Sequence, residues 1–312
     1  MVSQGTGFHH DALFYETDEE FVSTLVPWLR EGLALDQRTA VVTTASNIAS
    51  LRESLGADAQ SIFFAVDEEW YTTPASAIAR WNRVGRRSAA GGLEYTRIIG
   101  EVPFGRTSDE QAIWARFESA VNYAFAGAPS WNICPYNLRL LPEHVIENAW
   151  RTHPTVWDGY RSPSDAYTAP SEFFVQLPEP EPVLGAEPFV RMALGREIAE
   201  LRQIATQTGE RAGLPSDRVQ DLVLAFSEVA TNAMLHGGGI TNAAMWIDGD
   251  GVVCEVSDDR GDLTDPLAGF VPPAPEGYGG RDLWLARQLS KWLVIDTDHG
   301  RGTTIRFAVT AD

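Results

Sequence analysis

The chain has 312 residues, with 43 Asp and Glu against 24 Lys and Arg and a formal net charge of −19. That excess argues against duplex nucleic acid and against an anionic membrane surface as partners, since both demand a basic footprint. A free nucleotide stays admissible, because a small site can be locally neutral. A hydrophobic fraction of 44% with 10 Trp and 14 Phe is enough apolar material for two globular domains.

No apolar run approaches the ~18–20 residues of a spanning helix. The N-terminal MVSQGTGFHHDALFY has no basic region followed by an apolar stretch, so a cytoplasmic protein is expected. Cys134 and Cys254 stand in the apolar contexts WNICPY and VVCEV. They read as buried reduced thiols rather than as a disulfide or a zinc site. Lys291 is the single lysine among the basic residues, a skew that points to GC-rich coding rather than to chemistry.

In chain order, residues 12–15 (ALFY) read as a short strand, and residues 18–33 carry Phe21, Leu25, Trp28 and Leu29 at helical spacing. Strand patterns at 39–44, 61–66, 95–100 and 131–134 then alternate with helical ones at 48–55, 74–88 and 108–126. Such alternation predicts an α/β domain, a doubly wound, mostly parallel sheet with helices on both faces.

Residues 160–188 interrupt the pattern with Pro163, Pro170, Pro178, Pro180, Pro182 and Pro188 among Ser, Glu and Ala. That composition is linker-like, with FFVQL as a candidate edge strand inside it. The expected division is a first domain over 8–157, a proline-rich linker over 158–188 and a second domain over 189–312. After the linker come two helices (194–212 and 217–236), strands at 243–247 and 252–256, and a Gly/Pro-rich stretch from 258 to 280. A helix at 283–292 and strands at 293–297 and 303–309 complete an α+β sandwich, with helices on one side of a mixed sheet.

The segment SEVATNAMLHGGG, residues 227–239, is the most informative. Glu228, Asn232 and His236 are spaced four apart, so on a helix they form one polar ridge. An Asn carbonyl oxygen can hold Mg²⁺, and a Glu one turn away can deprotonate a hydroxyl, which together suit phosphoryl transfer from a nucleotide. The competing reading is a solvated helix face ending in a His-Gly cap. Three further stretches bear on the choice. Asp258 and Asp259 stand where a strand ends, Gly277-Tyr-Gly-Gly-Arg281 opens a helix whose N-terminus can face phosphates, and Gly302-Thr-Thr304 lies between the last two strands.

Taken in order, these segments resemble the nucleotide-binding signature of the Bergerat-fold ATPase and kinase superfamily. Within it, SEVATNAMLHGG, DPLAG and GGRDLWLARQL resemble the anti-sigma-factor serine kinases of the switch-protein type, widely found in actinobacteria. The resemblance implies ATP and Mg²⁺ as cofactors and a serine/threonine protein kinase controlling transcription. Glu228 would be the general base, Asn232 the Mg²⁺ ligand, Asp259 in preference to Asp258 the adenine reader, and Gly279, Gly280 and Arg281 the phosphate lid. His236, Gly261 and Thr303 complete the implied nucleotide contacts. Implied partners are a sigma factor, an antagonist protein carrying the target serine, or both, and a second copy of the chain.

The family pattern reads Gly-Arg-Gly-Leu where this chain has Gly280-Arg281-Asp282-Leu283. Asp282 therefore puts a carboxylate beside the expected phosphates, or caps the helix that begins there. Two unit charges ~4 Å apart at an effective dielectric of ~20 repel by ~4 kcal/mol, roughly three decades of affinity. This motivates the alternative of a degenerate, non-catalytic module that sequesters a sigma factor or antagonist. A sensor histidine kinase is the third choice, because no histidine occurs between His153 and His236 to accept phosphate upstream of the ATP site.

In the first domain the strand ending Leu13-Phe14-Tyr15 runs into Glu16-Thr-Asp-Glu-Glu-Phe21, which has no glycine or lysine, so a RecA-like fold without a P-loop is expected. HHDALFYETDEEF, LREGL, ICPYNLRLLP and RTHP resemble the MEDS sensory domain, which implies a small-molecule ligand or a relay role. His9, His10, Cys134, Tyr136 and His153 are candidate metal or haem ligands only if they converge. Their spacing fits no compact site, and core or capping roles are preferred. Trp70, Tyr71, Trp81, Trp114 and Trp131 either line a pocket or fill the core.

Overall fold

The computed structural model describes residues 7–90, 95–177, 185, 187–192, 197–260, 263–271, 281–298 and 302–311, with the backbone alone at 86–90 and 298. The chain divides into two compact units, Met1–Glu179 and Pro180–Asp312. Among the described residues no helix is long and apolar enough to cross a membrane.

The first unit begins β1 (His9–Tyr15), α1 (Asp18–Ala34), β2 (Arg38–Thr43), α2 (Ala45–Leu55), β3 (Phe63–Val66), α3 (Asp67–Trp70) and α4 (Pro74–Ala90). It continues β4 (Thr96–Gly100), α5 (Ser108–Ala124), β5 (Ser130–Asn137), α6 (Glu143–Thr152), β6 (Thr155–Trp157), β7 (Arg161–Pro163) and α7 (Pro170–Gln176). The seven strands lie in the order β3-β2-β4-β5-β1-β6-β7. Every described pairing is parallel except that of β6 with β7.

The period of two along β1 sends its side chains to opposite faces. Leu13 and Tyr15 join Phe21, Leu25 and Leu29 of α1 and Leu51 and Leu55 of α2 in one core. On the other face His10 meets Glu118 of α5, and Phe14 stacks 4.8 Å from Trp150 of α6. This is the doubly wound arrangement the alternation predicts.

The expected linker meets folded structure. Residues 155–163 form the β6–β7 hairpin, and FFVQ lies in a helix, α7, with Leu177 as its C-cap, not in an edge strand. Two contacts that sequence composition does not reveal fix the segment. Arg161 Nε reaches the Asp11 carboxylate at 2.9 Å, and Phe173 and Phe174 are buried. Arg116 lies 3.8 Å from the Phe174 ring and donates to the Phe174 and Leu177 carbonyls, while Arg151 covers Phe173. Proline at the first position of α7 starts the helix, which is where proline is tolerated.

The second unit comprises β8 (Val190–Arg191), α8 (Ile198–Arg211), α9 (Ser216–Leu235), β9 (Ile240–Asp248), β10 (Gly251–Asp258), α10 (Arg281–Leu289), β11 (Trp292–Asp298) and β12 (Gly302–Thr310). Its sheet, β11-β12-β10-β9-β8, is antiparallel throughout rather than mixed. The β9–β10 and β11–β12 connections are too short for a crossover and force antiparallel neighbours. Leu222, Phe226, Val229, Ala230 and Ala233 of α9 pack with Met245, Cys254, Val256 and Phe307 of the sheet, the apolar stripe of an amphipathic helix. Buried Arg287 of α10 donates to the Ala268 and Leu293 carbonyls at 2.7 and 2.9 Å, and so staples the 263–271 segment to this helix.

Candidate functional site

The polar ridge of α9 forms as its spacing predicts. Glu228 and Asn232 are half-buried, and His236 is exposed at the C-cap. Burial pushes the Glu228 carboxyl above its ordinary range, and the negative charge of Asp282 and a hydrogen bond with it push in the same direction. Arg202 opposes the shift. Asp282 lies in the first turn of α10 with its carboxyl at Glu228. It is therefore not the N-cap, and its charge bears on Glu228. Arg281, the first residue of α10, is exposed.

The end of α9 abuts the end of β10. Asp258 Oδ1 accepts the backbone N–H groups of Thr303 and Arg260, each at 3.1 Å. Gly237 lies so close to the Asp258 carboxyl that a Cβ there would overlap it, and Gly238 stands in the same relation to Asp259. Gly302, at φ +116, presses on the Asp258 carbonyl, so a side chain is excluded there on two counts. Asp258 is thus held by three segments, whereas Asp259 is exposed. Thr303 is 2% exposed, and its Oγ1 is buried without a hydrogen-bond partner among the described residues. Gly261, Gly279 and Gly280 lie outside the described residues.

These features fit a nucleotide. An orphaned buried hydroxyl and an anchored carboxylate stand side by side at a strand end, and neighbouring carboxyls at Glu228 and Asp282 call for a shared proton or a cation.

In the first unit the turn after β1 offers no phosphate cradle. The carboxylate of Glu20 accepts the backbone N–H groups of Glu16 and Thr17 at 2.8 and 3.3 Å. This capping box fills the helix N-terminus that a P-loop would turn toward phosphate. A groove of about 330 Å³ is lined by Arg38, Phe63, Trp70 and Arg80 among others. Tyr71, Trp81, Trp114 and Trp131 are core residues instead.

Contrary to the spacing argument, three of the five candidate ligands converge. His10 of β1, Cys134 of β5 and His153 after α6 meet Glu118 of α5, with one ligand atom from each inside a 4.8 Å cluster and all four residues buried. His9 points to the other face of β1 against Trp131, and Tyr136 packs edge-on to His153. Burial and Glu118 push the Cys134 thiol up. Sequence reasoning missed Glu118. The local sign is an acid within a largely apolar run, WARFESAV, all of which is buried in α5.

Comparison with known families accounts for both units. Residues 9–154 match the family model described as MEDS: MEthanogen/methylotroph, DcmR Sensory domain. Residues 192–309 match that of the Histidine kinase-like ATPase domain. No curated protein matches the chain. The chain thus contains a MEDS sensory domain followed by a histidine-kinase-like ATPase domain, a pairing that suggests signalling regulation.

Proposed function

We propose that the ATPase domain is a serine/threonine protein kinase of the anti-sigma-factor type, answering to the MEDS domain. The observation that carries this reading is the anchored Asp258 carboxylate beside the orphaned Thr303 hydroxyl, next to the helix that bears Glu228 and Asn232. In this reading Asp258 takes the exocyclic amine of adenine, in preference to the unanchored Asp259, and Thr303 adds a hydroxyl contact. Asn232 holds Mg²⁺ through its carbonyl oxygen, and Glu228 accepts the proton of the attacking serine hydroxyl. ATP with Mg²⁺ supplies the phosphoryl group and neutralises its charge. Partners in this reading are a sigma factor and a serine-bearing antagonist, engaged through their basic surfaces, with steering that weakens as salt rises.

The test is calorimetry of the full chain with ATP·Mg²⁺. Binding is expected, and Asp258→Asn and Asn232→Ala each weaken it at least tenfold. A folded chain that gives no heat overturns the kinase reading.

The Glu228–Asp282 contact supports a second reading, a non-catalytic module that captures its partner by surface alone. A Glu228 carboxyl that keeps the proton it shares with Asp282 cannot accept that of a serine hydroxyl. Nucleotide binding absent in the parent and present in Asp282→Gly selects this reading.

A further inference from the structure

We propose that His10, Glu118, Cys134 and His153 bind one divalent transition-metal ion, zinc by ligand preference, within the MEDS domain. The distances fit. Tetrahedral coordination with metal–ligand bonds of about 2.0–2.3 Å places neighbouring ligand atoms roughly 3.2–3.7 Å apart. His10 Nε2 lies 3.2 Å from Glu118 Oε2 and 3.3 Å from Cys134 Sγ, and His153 Nε2 lies 3.4 Å from Glu118 Oε2.

The surrounding hydrogen bonds aim the ligands. Asn122 spends its amide N–H groups on the carbonyls of Glu118, Ser119 and Thr152, so its Oδ1 must accept from His10 Nδ1, at 3.1 Å. The Ala149 carbonyl, which can only accept, stands 2.9 Å from His153 Nδ1. Both imidazoles therefore carry their proton on Nδ1 and turn the Nε2 lone pair inward, the second-sphere pattern of metal-bound histidine. Neither carboxylate oxygen of Glu118 nor His153 Nε2 has a hydrogen-bond partner among the described residues. Acceptors facing one another across 3.2–3.4 Å in a buried site need a cation between them.

Charge also balances. A carboxylate and a thiolate offset one divalent ion, with two neutral imidazoles completing the set, and binding releases the Cys134 proton to solvent. Two imidazoles, one thiolate and one carboxylate favour zinc over magnesium or calcium. Four protein ligands leave no open position, so this is a closed site that ties β1, β5, α5 and the end of α6 together.

The untagged full chain is purified, analysed for metal, stripped and titrated with Zn²⁺ and with Co²⁺. One equivalent of either is expected, with the d–d bands of tetrahedral Co²⁺ and a thiolate-to-cobalt charge-transfer band. That band disappears in Cys134→Ser and persists in Cys254→Ser, whose thiol lies in the other unit. Because ligand variants can unfold a buried site, Asn122→Ala provides a gentler probe that weakens Zn²⁺ binding about 10–100-fold with the circular dichroism unchanged. Uptake well below one equivalent by folded chain overturns the proposal in favour of a shared proton. A charge-transfer band that survives Cys134→Ser also overturns it.

Discussion

Asp282, in the first turn of α10, shares a hydrogen bond with Glu228 of α9. A bond between two carboxyls requires that one carry a proton, so the contact adds to burial in raising the value at which Glu228 ionises. Glu228 is then expected to titrate above the ordinary carboxyl range when its side-chain carbon is followed by NMR, and to move down in Asp282→Asn. Any phosphoryl transfer that needs the Glu228 carboxylate rises with pH through that raised value, and in the variant its rising limb shifts to lower pH. The effect on stability runs the opposite way. The folded state holds this proton more tightly than the unfolded one, so its contribution diminishes as pH rises from about 4.3 through the folded value. A Glu228 that titrates identically in both proteins contradicts the contact.

Thr303 separates stability from binding. Its hydroxyl is buried and unpartnered among the described residues, and valine has nearly the same shape. Thr303→Val is expected to raise the stability of the nucleotide-free chain by about 1 kcal/mol, read from urea unfolding, while lowering ATP affinity. A variant that loses stability shows that the hydroxyl has a partner in the folded chain.

What the sequence disclosed depended on how local the signal was. The helices α1, α5 and α9 carry apolar residues at helical spacing, and Glu228 and Asn232 sit one turn apart on a single helix, so both core and ridge were readable. α7 was not. Its two phenylalanines lie among prolines, and the groups that bury them, Arg116 and Arg151, belong to other helices. The His10 cluster was hidden for the same reason. His10 and Cys134 are 124 residues apart, and they meet because β1 and β5 are neighbours in the sheet. Strand order is a property of the assembled sheet and leaves no periodicity in the chain.

Gly302, at the start of β12, packs against the backbone of Asp258 at the end of β10. Its φ of +116 disfavours any side chain, and a Cβ would overlap the Asp258 carbonyl, which belongs to the backbone and cannot swing aside. Gly302→Ala is expected to cost about 2–4 kcal/mol and to weaken ATP binding by displacing Asp258. Thermal unfolding with and without ATP·Mg²⁺ reads both effects, and an alanine variant of parental stability contradicts the packing described.

The 158–177 segment belongs to the sensory unit, and two variants measure how much it contributes. Asp11 is fully buried and takes Arg161 Nε at 2.9 Å and Trp131 Nε1 at 2.6 Å. Arg161→Ala strands that carboxylate with its uncharged partners only. Removing one member of a buried pair costs about 3–5 kcal/mol, but the Arg161 side chain is 30% exposed, which places the expected loss at about 2–3 kcal/mol. Phe173, with 0% exposure, leaves a cavity when cut to alanine, and a loss of about 3–5 kcal/mol is expected. Tryptophan fluorescence during urea unfolding reports the first unit through Trp131 and Trp157, which pack edge-to-face at 5.2 Å. If both variants unfold at the parental midpoint, the segment is a tether after all, and its helix and hairpin add nothing to the domain they touch.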